Sequence, residues 1–151
     1  MSDMIVRLAT KEDARPVLDI RNDPMTRVQS VQNQELISLS EHLLWFEQQY
    51  FGDAKSRCFV LDDNGKVIGY CRYDLGANDE YTVSIAISPE YHGRGLGHLL
   101  LSQSIIQFPA GKSIIAEVKK GNMPSIRLFQ KNKFQTYRED RNNYYIRYEP
   151  R

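Results

Sequence analysis

The run His92-Gly93-Arg94-Gly95-Leu96-Gly97, with His98 directly after it, carries the clearest chemical signal in this 151-residue chain. An apolar strand precedes it and a helix striped with Leu96, Leu99, Leu100 and Ile106 follows. Glycines between a strand and a helix place several bare backbone N–H groups at a helix N-terminus, which is a cradle for an anion. A Cβ there would hold phosphate oxygens off the backbone and disfavour a left-handed turn. Each charge-assisted bond contributes about 1.5–3 kcal/mol, so three or four hold a pyrophosphate without a metal. Neither familiar nucleotide loop is met. Position 98 is His where the dinucleotide fingerprint after Gly93 and Gly95 needs Gly, and no Gly-Lys-Ser/Thr occurs. Glu117, 20 residues beyond Gly97, sits where a ribose-binding acid would lie and keeps a nucleotide cofactor as a minor alternative.

The composition narrows the rest. At 41% hydrophobic and 26% charged, residues 1–151 suit a single domain with a real core. No run of roughly 20 apolar residues and no signal-like start at Met1-Ser2-Asp3-Met4 points to a membrane or to secretion, so the expectation is a cytoplasmic protein. Cys58 and Cys71 are too few for a disulfide framework, and His42, His92 and His98 lack ligand spacing, so no metal is expected. If Asn64-Gly65 forms a two-residue hairpin turn, the two cysteines face each other as reduced core thiols. A net charge of +1 argues against a nucleic-acid partner. Lys112 to Arg151 nevertheless holds ten Lys/Arg against four Asp/Glu, an excess suited to a small polyanion or to an ordinary solvated face.

The elements that must position the glycine run can be read in order. Met4 to Leu8 reads as a strand, and Thr10 with Asp13 caps a helix to about Arg21 that Asn22-Asp23-Pro24 breaks. After a Gln-rich stretch, Ser38 with Glu41 opens a helix whose Leu39, His42, Leu43, Phe46 and Tyr50 recur at helical spacing. Cys58–Leu61 and Val67–Tyr73 flank the Asn64-Gly65 turn as a hairpin, and Tyr81–Ile87 leads into the glycines. Pro109 and Gly111 stop the next helix. Strand 113–118, a helix over about 122–132 and strands 134–137 and 144–148 complete the chain. The fold class is therefore α/β of mixed type: a mostly antiparallel twisted sheet of about six to seven strands with about four helices on both faces.

Tyr81 to Gly97 resembles the acyl-coenzyme A motif of the Gcn5-related N-acetyltransferases (GNAT), Gln/Arg-x-x-Gly-x-Gly/Ala after a bulged strand; Gly95 and Gly97 match, and His92 stands where Gln or Arg is usual. The second motif, Asn-x-x-Ala/Ser-x-x-Leu-Tyr-x-Lys-x-Gly-Phe, is similar to residues 122–134 through Asn122, Ser125, Leu128, Lys131 and Phe134. Phe129 replaces the usual Tyr that protonates the leaving thiolate, and Lys133 the helix-ending Gly. The resemblance implies acetyl-CoA as co-substrate. Ile85, Ala86 and Ile87 would meet the pantetheine arm, while His92, Gly93, Arg94, Gly95, Leu96, Gly97, His98, Asn122 and Ser125 would hold the rest of the cofactor. It further implies direct attack of a neutral amine on the thioester, an oxyanion donor where a bulge near Ile87 frees a backbone N–H, and a base near Glu80-Tyr81-Thr82. Glu80, Tyr81 and His42 are the candidate catalytic residues.

The acceptor is hinted at by Arg21-Asn22-Asp23-Pro24, Arg27-Val28, Ile37-Ser38, Glu41-His42 and Trp45-Phe46, together with Tyr70-Cys71-Arg72-Tyr73-Asp74. This pattern resembles the acetyltransferases of nucleotide-linked 4-amino sugars, as in pseudaminic acid biosynthesis, and implies a UDP-linked amino sugar as the small-molecule partner. Arg21 or Arg27 would grip its pyrophosphate and Trp45 would stack on uracil or sugar. A homodimer is the one protein association kept open. Two competing readings remain: a protein N-terminal or ribosomal-protein acetyltransferase, and a non-catalytic acyl-CoA sensor.

Overall fold

The computed structural model describes residues 3–31, 34–108 and 111–150. Pro109, read above as a helix stop, lies outside the described residues, as do Met1, Ser2, residues 32–33 of the Gln-rich stretch and Arg151. The strands are β1 Met4–Leu8, β2 Arg57–Asp63, β3 Lys66–Leu75, β4 Tyr81–Ile87, β5 Ile114–Lys119, β6 Phe134–Glu139 and β7 Asn143–Tyr148. They form one sheet in the order β1-β2-β3-β4-β5-β7-β6. Only β4 and β5 run parallel.

Among the described residues there are five α-helices rather than four: α1 Ala14–Asn22, α2 Pro24–Gln29, α3 Leu39–Tyr50, α4 Leu96–Gln107 and α5 Met123–Lys131. The added one is α2. Asp23-Pro24 ends α1 and also starts α2, because the Asp23 carboxylate accepts from the Met25 N–H at 2.9 Å and Pro24 takes the first turn, where a missing N–H costs nothing. Ser38 caps α3 by accepting from the Glu41 N–H at 3.2 Å and donating to its carboxylate at 2.9 Å. His42, Phe46 and Tyr50, four residues apart, form the buried stripe of α3, whereas Leu43 is exposed.

Strand alternation divides the core between two faces. Phe59, Leu61, Ile68, Cys71, Tyr73 and Val83 point to one face, where Leu100, Leu101 and Ile105 of α4 and Phe129 of α5 join them. Cys58, Val60, Val67 and Tyr70 point to the other, against Val17 and Ile20 of α1 and Phe46 of α3. The two cysteines therefore do not face each other. Asn64 and Gly65 do form the two-residue turn, at φ 55° and 90°, but a bulge between Leu61 and Asp62 shifts the register by one residue. Cys58 then lies opposite Arg72 and Cys71 opposite Phe59. One extra residue sends the thiols to opposite faces.

Candidate active site

β4 and β5 pair only at their first residues, Tyr81 with Ile114 and Thr82 with Ile115, and then part. The Tyr81 N–H donates to Ser113 O on the β5 side at 2.9 Å, and the Ser88 N–H to Ile68 O on the β3 side at 2.8 Å. Alternation between these two points directs the backbone groups of Val83, Ile85 and Ile87 into the split. Ala86 turns its backbone to Tyr70 on β3 instead, and its side chain lines the cavity. β4 keeps an unbroken register with β3 from Tyr81 to Ile87, so the opening is not made by the bulge expected in β4. It comes from the divergence of two parallel strands.

The split ends at α4. Gly95 caps this helix at φ 74° and Gly93 precedes it at φ 79°, both in the left-handed region that suits glycine. The first intrahelical bond runs from Leu99 N to Gly95 O at 3.2 Å, which leaves the N–H groups of Leu96, Gly97 and His98 without carbonyls of their own turn. Gly97 has a packing role, since a Cβ there would come within 3.3 Å of Leu128 on α5. The His92 ring Nε2 lies 2.8 Å from the Ile87 carbonyl, which fixes the hydrogen on that nitrogen and ties the loop to the end of β4. Asn132 donates to His98 Nδ1 at 3.0 Å and to Leu128 O at 2.8 Å, so the hydrogen of His98 sits on Nε2.

A cavity of about 880 Å³ surrounds the split. Its walls come from β4, the glycine loop and α5 on one side, and from α2 with Tyr70, Arg72 and Asp74 of β3 on the other. Of the expected cofactor residues, Ile85, Ala86, Ile87, His92, Gly93, Gly95, Leu96, Gly97, His98, Asn122 and Ser125 line it; Arg94 does not, and lies 5.2 Å over the Tyr91 ring. Asn122 caps α5 by accepting from the Ser125 N–H at 3.3 Å. Phe129 also lines the cavity, packed edge-on against Phe134 at 4.9 Å, so no hydroxyl stands at that position.

The expected catalytic side chains are not brought to the cavity lining. Tyr81 is buried and its hydroxyl donates to Lys55 O at 3.0 Å. Glu80 accepts from Asn78 at 3.1 Å and lies 3.8 Å from Arg147. His42 is fully buried, its Nε2 donating to Ala14 O at 2.7 Å and its Nδ1 accepting from Arg21 at 3.1 Å. Burial, chiefly, lowers the His42 pKa from 6.5 to about 4.

The expected acceptor residues mostly support the scaffold. Arg27 donates to Asn22 O at 3.0 Å and Gln34 O at 3.4 Å, while the Asn22 side chain clamps both backbone groups of Ile37 at 2.8 and 2.9 Å. Arg21 lies 4.2 Å over the Trp45 ring, and none of Arg21, Arg27 or Trp45 lines the cavity.

Two charged lining residues stand in places the sequence did not single out: Arg72 entered only within the run 70–74, and Glu117 only as the ribose-binding acid of the minor alternative. Arg72 lies between Cys71 and Tyr73, whose side chains join the opposite face, so alternation brings it out beside Ser84. Glu117 lies between buried Ala116 and Val118, two residues past the last β4–β5 pair. An ionic residue between apolar neighbours in a strand was the available signal for both. The face it opened onto depends on a register that no local pattern carries.

The comparisons with known proteins agree with this geometry. The acetyltransferase (GNAT) family matches residues 16–134, and the chain belongs to that family. The L-methionine sulfoximine/L-methionine sulfone acetyltransferase of Salmonella typhimurium is 32% identical over 133 residues, 83% of this chain and 76% of that protein. The L-amino acid N-acyltransferase MnaT of Escherichia coli is 29% identical over 134 residues, 84% and 77% of the two chains. A phosphinothricin acetyltransferase from Sinorhizobium meliloti, solved in complex with acetyl-CoA, shares the fold with a TM-score of 0.77 at 22% identity, over 95% of this chain and 86% of that one.

Proposed function

We propose that this protein transfers the acetyl group of acetyl-CoA to the primary amine of a small acceptor. The observation that carries this reading is the β4–β5 split running into the bare N–H groups of α4. The pantetheine arm would bond to the inward backbone of Val83, Ile85 and Ile87 as an added strand does, and the pyrophosphate would meet Gly93, Gly95 and the first turn of α4. The amine nitrogen attacks the thioester carbonyl, the C–S bond breaks and coenzyme A leaves as the thiolate. Holding the two reactants together supplies about 7–11 kcal/mol of the barrier reduction, and the Ile87 N–H, turned into the split, is the oxyanion donor in this reading. Glu117 replaces Glu80, Tyr81 and His42 as the proposed proton acceptor, because it lines the cavity where the strands part. A reaction that consumes acetyl-CoA fits the cytoplasm.

An amino acid is the first acceptor class, supported by the names of the Salmonella and Escherichia relatives. A UDP-linked 4-amino sugar is the second, supported by the likeness of the N-terminal helices and of residues 70–74 to that group. The test is incubation with acetyl-CoA and a panel of L-amino acids, UDP-4-amino-4,6-dideoxy sugars, free amino sugars and basic peptides, reading thiol release and product mass. Acetylation of an amino acid or a sugar nucleotide is the expected result. Acetylated peptides alone would move the acceptor to proteins, and acyl-CoA binding without any transfer would make the chain a sensor.

A further inference from the structure

We infer that Arg72 recognises an oxyanion on the acceptor, a carboxylate or a phosphate, so that the acceptors of this protein are amines carrying a negative charge. The inference rests on the transferase reading of the cavity. Arg72 is on the cavity wall, yet its Nε is buried and has no hydrogen-bond partner. Its Nη1 is held by the Asp74 carboxylate, which also accepts from Tyr50 at 2.6 Å and from Gln49 at 3.2 Å. Both oxygens of that carboxylate are therefore engaged by donors, whereas the guanidinium keeps one donor, Nε, without a partner. A buried donor left unmatched in a folded protein marks either strain or a missing partner, and here the donor belongs to a group lining an open cavity.

The charge count agrees. Arg21 and Arg72 lie 4.2 and 5.3 Å from the Trp45 ring, so two guanidinium groups converge on one indole. Asp74 pairs with Arg72, and no carboxylate of the described residues makes an ion pair with Arg21, whose bonded neighbour is the neutral, buried His42. Burial and then the nearby Arg72 hold the Arg21 pKa below its ordinary value, as expected where positive charge is in excess. Behind the wall one positive charge, that of Arg21, is left without a carboxylate ion pair, and an oxyanion bound at Arg72 would supply a counter-charge close by. Arginine suits the task because its Nε and Nη donors form a planar fork matched to carboxylate and phosphate oxygens. Ser84, opposite Arg72 on β4, adds a hydroxyl beside the same spot.

Matched acceptors test this: an L-amino acid against its amide, and a UDP-4-amino sugar against the free amino sugar. Within each pair the amine is kept; the first loses only the carboxylate, and the second loses the pyrophosphate together with its uridine, so the dependence on Arg72 is what decides. Wild-type enzyme is expected to favour the charged member in kcat/KM by roughly 10- to 100-fold, the range of a hydrogen bond to a charged group. The ratio should collapse toward one in Arg72→Gln and recover only in part in Arg72→Lys, which keeps the charge without the fork. Because Arg72→Gln strands the Asp74 carboxylate, the doubly substituted R72Q/D74N protein is measured alongside it. The pair that shows Arg72-dependent discrimination identifies the oxyanion as carboxylate or phosphate. A ratio near one for both pairs in wild type, or a ratio that survives in both Arg72→Gln and R72Q/D74N, overturns the inference. Calorimetric binding of the same four compounds to the coenzyme A-loaded protein separates the two levels. Arg72-dependent binding without turnover would refute the transfer reaction and leave oxyanion recognition standing, whereas binding that ignores Arg72 would refute the recognition.

Discussion

Glu117 and Glu80 are both carboxylates next to the β4–β5 region, and their surroundings separate them. Glu80 precedes β4, at the closed end of the pairing, with Asn78 bonded to it and Arg147 close by. Glu117 follows the last paired residues, where the strands have parted, and lines the cavity. A general base contributes about 100- to 10,000-fold. Glu117→Gln is therefore expected to lower kcat by roughly 100-fold or more while the KM for acetyl-CoA, which the proposed site holds through backbone groups, changes little. Steady-state kinetics on the variant checks this, and an unchanged kcat removes Glu117 from the mechanism. At this scale the glycine run before α4 and the Asn122–Ser125 start of α5 were legible as helix N-termini, because a helix N-terminus is a local feature. That Arg72 and Glu117 line the cavity was not legible, because a side chain's exit from a strand depends on which face the neighbouring strands bury.

Among the elements, the N-terminal helices show how a pattern that suggests chemistry can serve folding. Asp23 and Ser38 are caps, Asn22 ties the end of α1 to Ile37, and His42 joins α3 to the first turn of α1 through Ala14 O. The burial of His42 makes stability depend on pH. Its ring titrates near 4 in the folded chain and near the ordinary 6.5 when unfolded, so between these values the unfolded chain binds a proton that the folded chain does not. This contribution is fully present above pH 6.5 and is lost as the pH falls toward 4. Urea unfolding at a series of pH values is expected to show a shallower decline across that window for His42→Gln than for wild type. Parallel slopes would show that His42 is not buried in its neutral form. The other element-scale departure is at α5, where Lys133 takes the left-handed conformation, φ 70°, in the place where the family usually has Gly.

For the molecule as a whole, strand and helix order was readable from periodicity, and with it the mixed sheet and the helices on both faces. The opening in the sheet was expected from a bulged β4, whereas it arises from a pairing between residues more than 30 apart, Tyr81 with Ile114 and Thr82 with Ile115. Such non-local geometry leaves no trace in a window of sequence. In the proposed function the two faces of the cavity divide the work: the split and α4 present backbone donors and a helix N-terminus, while β3 and α2 present side chains, Arg72 among them. The first set suits a cofactor common to many relatives, and the second suits an acceptor particular to this chain.

Titration of acetyl-CoA into the wild-type protein and into Gly95→Val, followed by calorimetry, tests this division most directly. A Cβ at Gly95 meets no atom within 4 Å, so the substitution acts chiefly through the strain of φ 74° and by intruding on the anion's space. Saturable binding to wild type, weakened by roughly tenfold or more in a Gly95→Val protein with an unchanged far-UV spectrum, is the predicted result. Wild-type protein that does not bind acetyl-CoA, or a Gly95→Val protein that binds it equally well, would contradict the placement of the cofactor at the end of the β4–β5 split.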